Sequence, residues 1–137
     1  MATNPQLRDS DMEKCINNCF NTARVCQETL AHLLTKKTAV QGSHITLLQM
    51  CVESCQLSYK MMINDLSFHH QSCELAFEVT SACAEECDRY AEDPVMAKCA
   101  DFCRRTAESC RGMAGMTVKV GTSSKSSSKS EGSRTQF

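Results

Sequence analysis

The chain has 137 residues, of which 42% are hydrophobic, and its formal net charge at pH 7 is −1. This length suffices for one domain with a modest core, and the near-neutral charge argues against nucleic-acid binding, which normally requires a basic face. Aromatic residues make up 5% and tryptophan is absent, which disfavours a base-stacking surface or a large aromatic pocket. The unusual feature is sulfur, since the chain contains 11 cysteines and 8 methionines.

Helix start and stop signals predict four helices joined by short connections. The predicted helices cover about 11–37, 43–65, 67–91 and 94–114. Helices of this length, connected in this way, pack as an up-down-up-down antiparallel four-helix bundle. We therefore expect an all-α fold class, with a cysteine-lined bundle that occupies residues 10–116.

Each predicted helix has a candidate capping residue, because serine and aspartate accept hydrogen bonds from the free N–H groups of a first turn. The candidates are, in chain order, Ser10 in a capping box with Glu13, then Ser43, then Asp65 or Ser67, and finally Asp93. Pro94 follows Asp93 at the first helical position, where proline is favoured.

The two ends of the chain lack a helical pattern. Residues 1–9 show no apolar segment of the kind found in export signals, and we expect a flexible N-terminus there. Residues 117–137 are rich in serine, lysine and glycine, a composition typical of a disordered tail. The sequence shows no apolar run near the ~20 residues that span a membrane, so no membrane partner is expected.

Cysteines recur at helical spacing in the predicted helices. The stretch "CINNCFNTARVC" at 15–26 places cysteines at offsets 0, 4 and 11, and "CADFCRRTAESC" at 99–110 repeats those offsets. Residues four apart on a helix have Cβ atoms ~6 Å apart, whereas a disulfide needs about 3.8 Å. The cysteine count is also odd. These features predict reduced thiols and a cytoplasmic location.

All the cysteines fall on inward-facing positions of the predicted bundle, where a core normally holds leucine, isoleucine and valine. The large aliphatic residues lie on flanking faces, among them Ile16, Leu34, Leu57, Leu75 and Val79. An axis of small thiols would be underpacked, and unfilled volume costs ~24 cal/mol per Å3. This pattern favours a core filled by metal over one in which cysteine serves as inert packing.

Thiolate ligands select soft metals, namely Cu(I), zinc or iron–sulfur clusters. Iron–sulfur binding usually shows C-x2-C runs in loops, and the sequence contains none. A structural zinc site needs four ligands, which two facing cysteine pairs could supply, so zinc remains an alternative. Continuous rows of thiols suit Cu(I) better, because Cu(I) accepts two-coordinate thiolate binding and neighbouring ions can share a thiolate.

With a C-x3-C pair on every predicted helix, residues 10–115 resemble the cytosolic copper storage proteins, a family of cysteine-rich four-helix bundles. The resemblance implies several Cu(I) ions per chain, bound by thiolates inside the bundle, and a homotetramer. It implies the following ligands: Cys15, Cys19, Cys26, Cys51, Cys55, Cys73, Cys83, Cys87, Cys99, Cys103 and Cys110.

This sequence has fewer cysteines than better-known members of that family. Hydroxyl-bearing residues take inner positions instead, at Thr22, Ser58, Thr80 and Thr106. At close to one thiolate per ion, the capacity would be on the order of ten Cu(I). The hydroxyls also raise the question of whether the row of copper sites continues through the middle of the bundle.

Thioether and imidazole groups gather at one end of the predicted bundle. In antiparallel order, this end collects Met12, Met62, His69, His70 and Met113. These groups bind Cu(I) more weakly than thiolates do, which suits a loading port through which ions pass inward. The opposite end has the composition of a plug, formed by Leu33, His44, Leu48, Tyr90 and Met96.

Together these features predict a cytosolic Cu(I) store or buffer that is not an enzyme. The sequence shows no Ser/His/Asp or Cys/His/Asn constellation and no glycine-rich phosphate loop. Two alternatives stay open on the same scaffold. One is a zinc-binding or thiol-redox bundle, and the other is a metal-free structural interaction module.

Overall fold

The computed structural model describes residues 9–36 and 40–115, and this part of the chain contains four helices and no strand. The helices are α1 (Ser10–Lys36), α2 (Gly42–Ile63), α3 (His69–Asp88) and α4 (Pro94–Met113). The predicted all-α four-helix fold is confirmed. Apart from Asp9, the predicted flexible N-terminus lies outside the described residues, and so does the predicted tail.

Each helix packs against two neighbours, so that the four form a closed square in the order α1, α2, α3, α4. Side-chain contacts fix the direction of the packing. On α1 and α4, Cys15 lies beside Cys110, while Cys26 lies beside Cys99. The numbering rises along one helix as it falls along the other, which makes neighbouring helices antiparallel. The core of such a bundle is a narrow column of packed side chains along the bundle axis.

Three of the predicted caps are wrong. At α1, the Asp9 carboxylate accepts the Asp11 N–H at 2.8 Å, so the cap precedes Ser10, which is already helical. At α2 the cap position is Gln41, and at α3 it is Phe68; neither side chain caps its helix. Helix α3 starts late because Leu66 and its neighbours form hydrogen-bonded turns before it.

The start of α4 follows the prediction. The Asp93 carboxylate accepts the Val95 N–H at 3.0 Å, and Pro94 takes the first turn. The Asp93 side chain also lies 2.8 Å from His32 Nε2, which ties the end of α1 to the start of α4. These contacts hold one end of the bundle in register.

The end of α2 is shaped by a tight turn. The helix stops at Ile63, and the Asn64 side chain donates to the Lys60 carbonyl at 2.8 Å. Asp65 then adopts a positive φ of 58°, which no helix tolerates. This is why α2 ends two residues before the predicted boundary at 65.

Small side chains, above all the cysteines, line the axis, and several large apolar side chains face outward. Leu34 is 77% exposed, while Leu57 and Leu75 are 43% and 49% exposed. Ile16 departs from the prediction, since it is only 7% exposed and joins the core. Within the described residues, none of the helices is both long and apolar enough to cross a bilayer.

Candidate metal centre

All eleven cysteines are fully buried, and all are free thiols. The predicted inward orientation of the cysteines is therefore confirmed, whereas their role as metal ligands is not tested by burial alone. Ten of them form two clusters along the bundle axis, and Cys55 lies between the two. We name these the proximal cluster (Cys15, Cys19, Cys73 and Cys110) and the distal cluster (Cys26, Cys51, Cys83, Cys87, Cys99 and Cys103).

The proximal cluster lies at the end of the bundle where α1 and α3 begin. The Cys110 sulfur is 3.7 Å from that of Cys15 and 3.6 Å from that of Cys19. Cys73 completes the cluster from α3, where it interacts with Cys110 and Cys15. Three helices therefore contribute thiols to one small volume.

The distal cluster is larger and is built by all four helices. Cys103 lies 3.8 Å from both Cys26 and Cys51, and these three group with Cys83 so that all four sulfurs are within 4.8 Å of one another. Cys83 belongs also to a second group, formed with Cys87 and Cys99. Because the groups share a thiol, they form one connected set of candidate ligands.

These separations fit metal binding. A disulfide bond is about 2.05 Å long, so sulfurs 3.6–3.8 Å apart are not bonded to each other. Two sulfurs at the zinc–sulfur bond length of about 2.3 Å from one ion lie up to about 4.6 Å apart when the site is linear. In a tetrahedral site they are about 3.8 Å apart. The thiol groups can therefore close on a soft ion with small side-chain movements.

Each thiol group contains one cysteine whose thiolate is favoured by its neighbours. Hydrogen bonds, chiefly from Cys110, lower the pKa of Cys19. A hydrogen bond from the Cys103 thiol is likewise the main cause of the lowered pKa of Cys51, and also of that of Cys99. The thiolate is the form that binds metals. Cys19, Cys51 and Cys99 are therefore the thiols whose surroundings most favour the metal-binding form.

His44 is a candidate ligand that the sequence analysis placed in the plug. Its side chain is fully buried and its Nε2 lies 3.4 Å from the Cys87 sulfur. Within the described residues, its Nδ1 has no hydrogen-bond partner. Burial lowers the pKa of His44, which favours the neutral imidazole that metals bind. The Tyr90 ring stacks on it at a centroid distance of 5.6 Å.

The predicted loading-port residues lie together at the proximal end. Met62 is fully buried, with its sulfur 4.0 Å from that of Cys73. His69 is half-buried, and its Nδ1 is buried without a hydrogen-bond partner in the described part of the chain. His70 is exposed, and its Nδ1 lies 3.1 Å from the Met113 carbonyl. Met12 and Met113 are partly buried.

Comparison with known proteins identifies the family. The family model described as copper storage protein matches residues 8–115. The chain is similar to a protein of Nitrosospira multiformis whose crystal structure is known, with 29% identity and a TM-score of 0.72 over 80% of this chain and 99% of the other. It is also similar to the Cu(I)-bound copper storage protein BsCsp3, with 31% identity and a TM-score of 0.69 over 76% of this chain and 98% of the other.

Curated proteins give no match to the chain. The family match nevertheless extends over all four helices and over every cysteine in the two clusters. The chain belongs to the copper storage protein family.

Proposed function

We propose that this protein stores Cu(I) as thiolate complexes along the axis of its bundle. The observation that carries the proposal is the fully buried set of free thiols, which lie in groups along most of the bundle. Soft thiolate ligands favour Cu(I), and the membership of the chain in the copper storage protein family supports the same metal. The proposed ligands are the eleven cysteines, with His44 as a further ligand beside Cys87.

The buried position of the thiols explains how storage would work. Bound copper would lie inside a sheath of helices, away from water and from oxidants that react with thiolates. A thiolate shared between two ions allows more ions to be held than isolated sites would allow. No catalytic role is part of this proposal, since holding and releasing an ion requires no bond-making in a substrate.

We also propose that Cu(I) enters at the proximal end. Support comes from the accessibility of the two ends: His70 is exposed and His69 is half-buried, whereas His44 and Met96 at the other end are fully buried. An ion arriving at His69 would next meet the buried pair of Met62 and Cys73. Because the histidine and methionine side chains at this end bind Cu(I) more weakly than the cysteines beneath them, an ion would move from weaker to stronger ligands as it passes inward.

Location and assembly follow from the same reasoning. Free thiols in this number fit a reducing compartment, so we propose a cytosolic store. We propose a homotetramer on the family resemblance, and the exposed apolar side chains of Leu57, Phe68 and Leu75 support self-association.

A zinc site is the second candidate, and one group of thiols favours it. Cys26, Cys51, Cys83 and Cys103 come from four different helices and lie within 4.8 Å of one another. Four thiolates are the ligand set of a closed structural zinc site. Such a site would hold one ion and would leave most of the remaining cysteines unused.

An anaerobic titration separates the two candidates. The reduced protein is titrated with Cu(I) in the presence of a chromogenic Cu(I) chelator, and in parallel with Zn(II) and a zinc indicator. A copper store should retain on the order of ten Cu(I) per chain before the chelator colours, with new near-ultraviolet absorption from thiolate-to-copper charge transfer. Retention of a single Zn(II), with immediate loss of copper to the chelator, would support the zinc site instead.

A further inference from the structure

A belt of threonines separates the two thiol clusters. On three of the four helices, about two or three turns without cysteine separate a thiol of the proximal cluster from the nearest thiol of the distal cluster on the same helix. These pairs are Cys19 and Cys26, Cys73 and Cys83, and Cys110 and Cys103. At 1.5 Å per residue, these gaps are about 10, 15 and 10 Å long. Within them lie Thr22, Thr80 and Thr106, which we name the threonine belt; all three are fully buried.

The belt offers Cu(I) no comparable ligand. The Thr22 and Thr106 hydroxyls lie 2.7 Å apart and also bond to the carbonyls of Phe102 and Asn18, each at 2.9 Å. The Thr80 hydroxyl donates to the Ala76 carbonyl at 2.7 Å, within its own helix. Neutral hydroxyl oxygens are hard ligands, whereas Cu(I) prefers sulfur. These hydroxyls are moreover already engaged with one another and with the backbone.

Cys55 on α2 is the thiol at the level of the belt. The rings of Phe20 on α1 and Tyr59 on α2 lie 5.3 Å apart, and the two helices are antiparallel, so Cys55, one turn before Tyr59, lies at a level between Cys19 and Cys26. Cys51 is one helical turn away on the same helix, and Cys19 belongs to the adjacent helix α1. Cys55 is fully buried, so an ion bound to it would stay inside the sheath throughout.

On the basis of the proposed function, we infer that Cys55 is the relay through which Cu(I) passes between the two clusters. In the transfer, the bond from copper to the Cys19 sulfur breaks after a bond to Cys55 has formed, and the bond to Cys55 breaks in turn after one to Cys51 has formed. A proton moves from each incoming thiol to the outgoing thiolate. Copper remains Cu(I), so no oxidant or reductant is needed.

The test compares two variants that each lose one thiol. Cys55→Ser removes the relay, and the matched control Cys99→Ser removes a thiol from within the distal cluster. Cu(I) uptake by each reduced, full-length protein is followed by stopped-flow absorption of the thiolate-to-copper band. Cys99→Ser removes a distal ligand, so the amplitude of the distal phase should fall, but neither phase should slow tenfold. Cys55→Ser should fill one cluster at the parental rate and the other at least on the order of tenfold more slowly.

A second thiol in the belt should restore the relay. Thr22 lies one turn from both Cys19 and Cys26 on α1, so Thr22→Cys in the Cys55→Ser background supplies a new bridge. Thr29→Cys adds a buried thiol to the same helix beyond Cys26, where it bridges nothing. We expect rescue of the fast phase by Thr22→Cys alone. Far-ultraviolet circular dichroism of each variant checks that the bundle has folded.

The outcomes separate the relay from the storage function. If the parent retains copper but Cys55→Ser fills like Cys99→Ser, the relay is wrong and storage stands. If Thr29→Cys rescues as well as Thr22→Cys does, the bridging position is irrelevant and the relay is again wrong. A parent protein that retains no copper would overturn the proposed function, and the relay with it.

Discussion

The proximal cluster and the distal cluster present different surroundings to a soft ion. The proximal cluster has four thiols, next to the thioether of Met62 and to the Ser58 hydroxyl, which lies 3.1 Å from the Cys73 sulfur. The distal cluster has six thiols, and the imidazole of His44 borders it. An ion in the distal cluster therefore has more strong ligands within reach.

The two ends of the bundle also differ, in how accessible their side chains are to solvent. Beside the proximal cluster, His69 and His70 are accessible to solvent to different degrees, and their rings lie 4.3 Å apart. Beside the distal cluster, Leu48 and Met96 are fully buried. On the proposed function, a smaller thiol cluster under the accessible end suits exchange of the ion, and a larger one under the closed end suits its retention.

The largest expected effect is stabilisation of the bundle by bound Cu(I). Each independent site adds about 2.7 kcal/mol to the free energy of unfolding when the free ion is at 100 times its Kd. Cys103→Ser should lose more of this stabilisation than Cys110→Ser, because Cys103 lies in the four-thiol group. Thermal unfolding followed by circular dichroism, with and without Cu(I), measures the loss. Equal losses in the two variants would remove the distinction between the clusters.

A smaller effect should appear in the rate of loading. His69→Ala combined with Met113→Ala should slow Cu(I) uptake by on the order of tenfold, because the weak outer ligands that receive the ion are gone. The number of ions held at saturation should stay nearly the same, since the cysteines are intact. Stopped-flow uptake and a chelator titration measure the two quantities. Unchanged uptake kinetics would contradict a port at the proximal end.

The smallest effect concerns a single ion at the distal end. His44→Leu should weaken retention of the ion nearest Cys87 by roughly tenfold and leave the initial uptake rate unchanged. Competition with chelators of graded Cu(I) affinity detects the loss of one tightly held equivalent. His32→Leu serves as a control, because His32 pairs with Asp93 and has no sulfur contact among those described. If both variants retained copper like the parent protein, His44 would be only a packing residue.

Much of the fold could be predicted from local signals. The helical spacing of Cys15, Cys19 and Cys26 places them on one face, and the structure buries all three. Asp93 with Pro94 predicted the start of α4 correctly, because the cap and the proline act on the same turn. The caps predicted at Ser10 and Ser43 were wrong by one or two residues, because Asp9 accepts the bond in place of Ser10 and the side chain at the start of α2 caps nothing.

His44 shows why the site was harder to predict than the fold. Its position on α2 indicates that it faces inward, and the sequence analysis accordingly assigned it to the plug. Its contact with Cys87 depends on the axial register of α2 against α3, which the sequence of neither helix determines by itself. The same holds for Cys55, whose C-x3-C partner Cys51 is obvious in the sequence, whereas its level relative to Cys19 on α1 is not.

From the amino-acid sequence we could predict four helices, thiols that all face one axis, and the preference of such an axis for soft metals. These properties depend on the period of the α-helix and on ligand chemistry, both of which act within single helices. The division of the thiols into two clusters, with a threonine belt between them, emerged from the packed bundle alone. Grouping across helices depends on axial register, which is set by the packing of all four helices together.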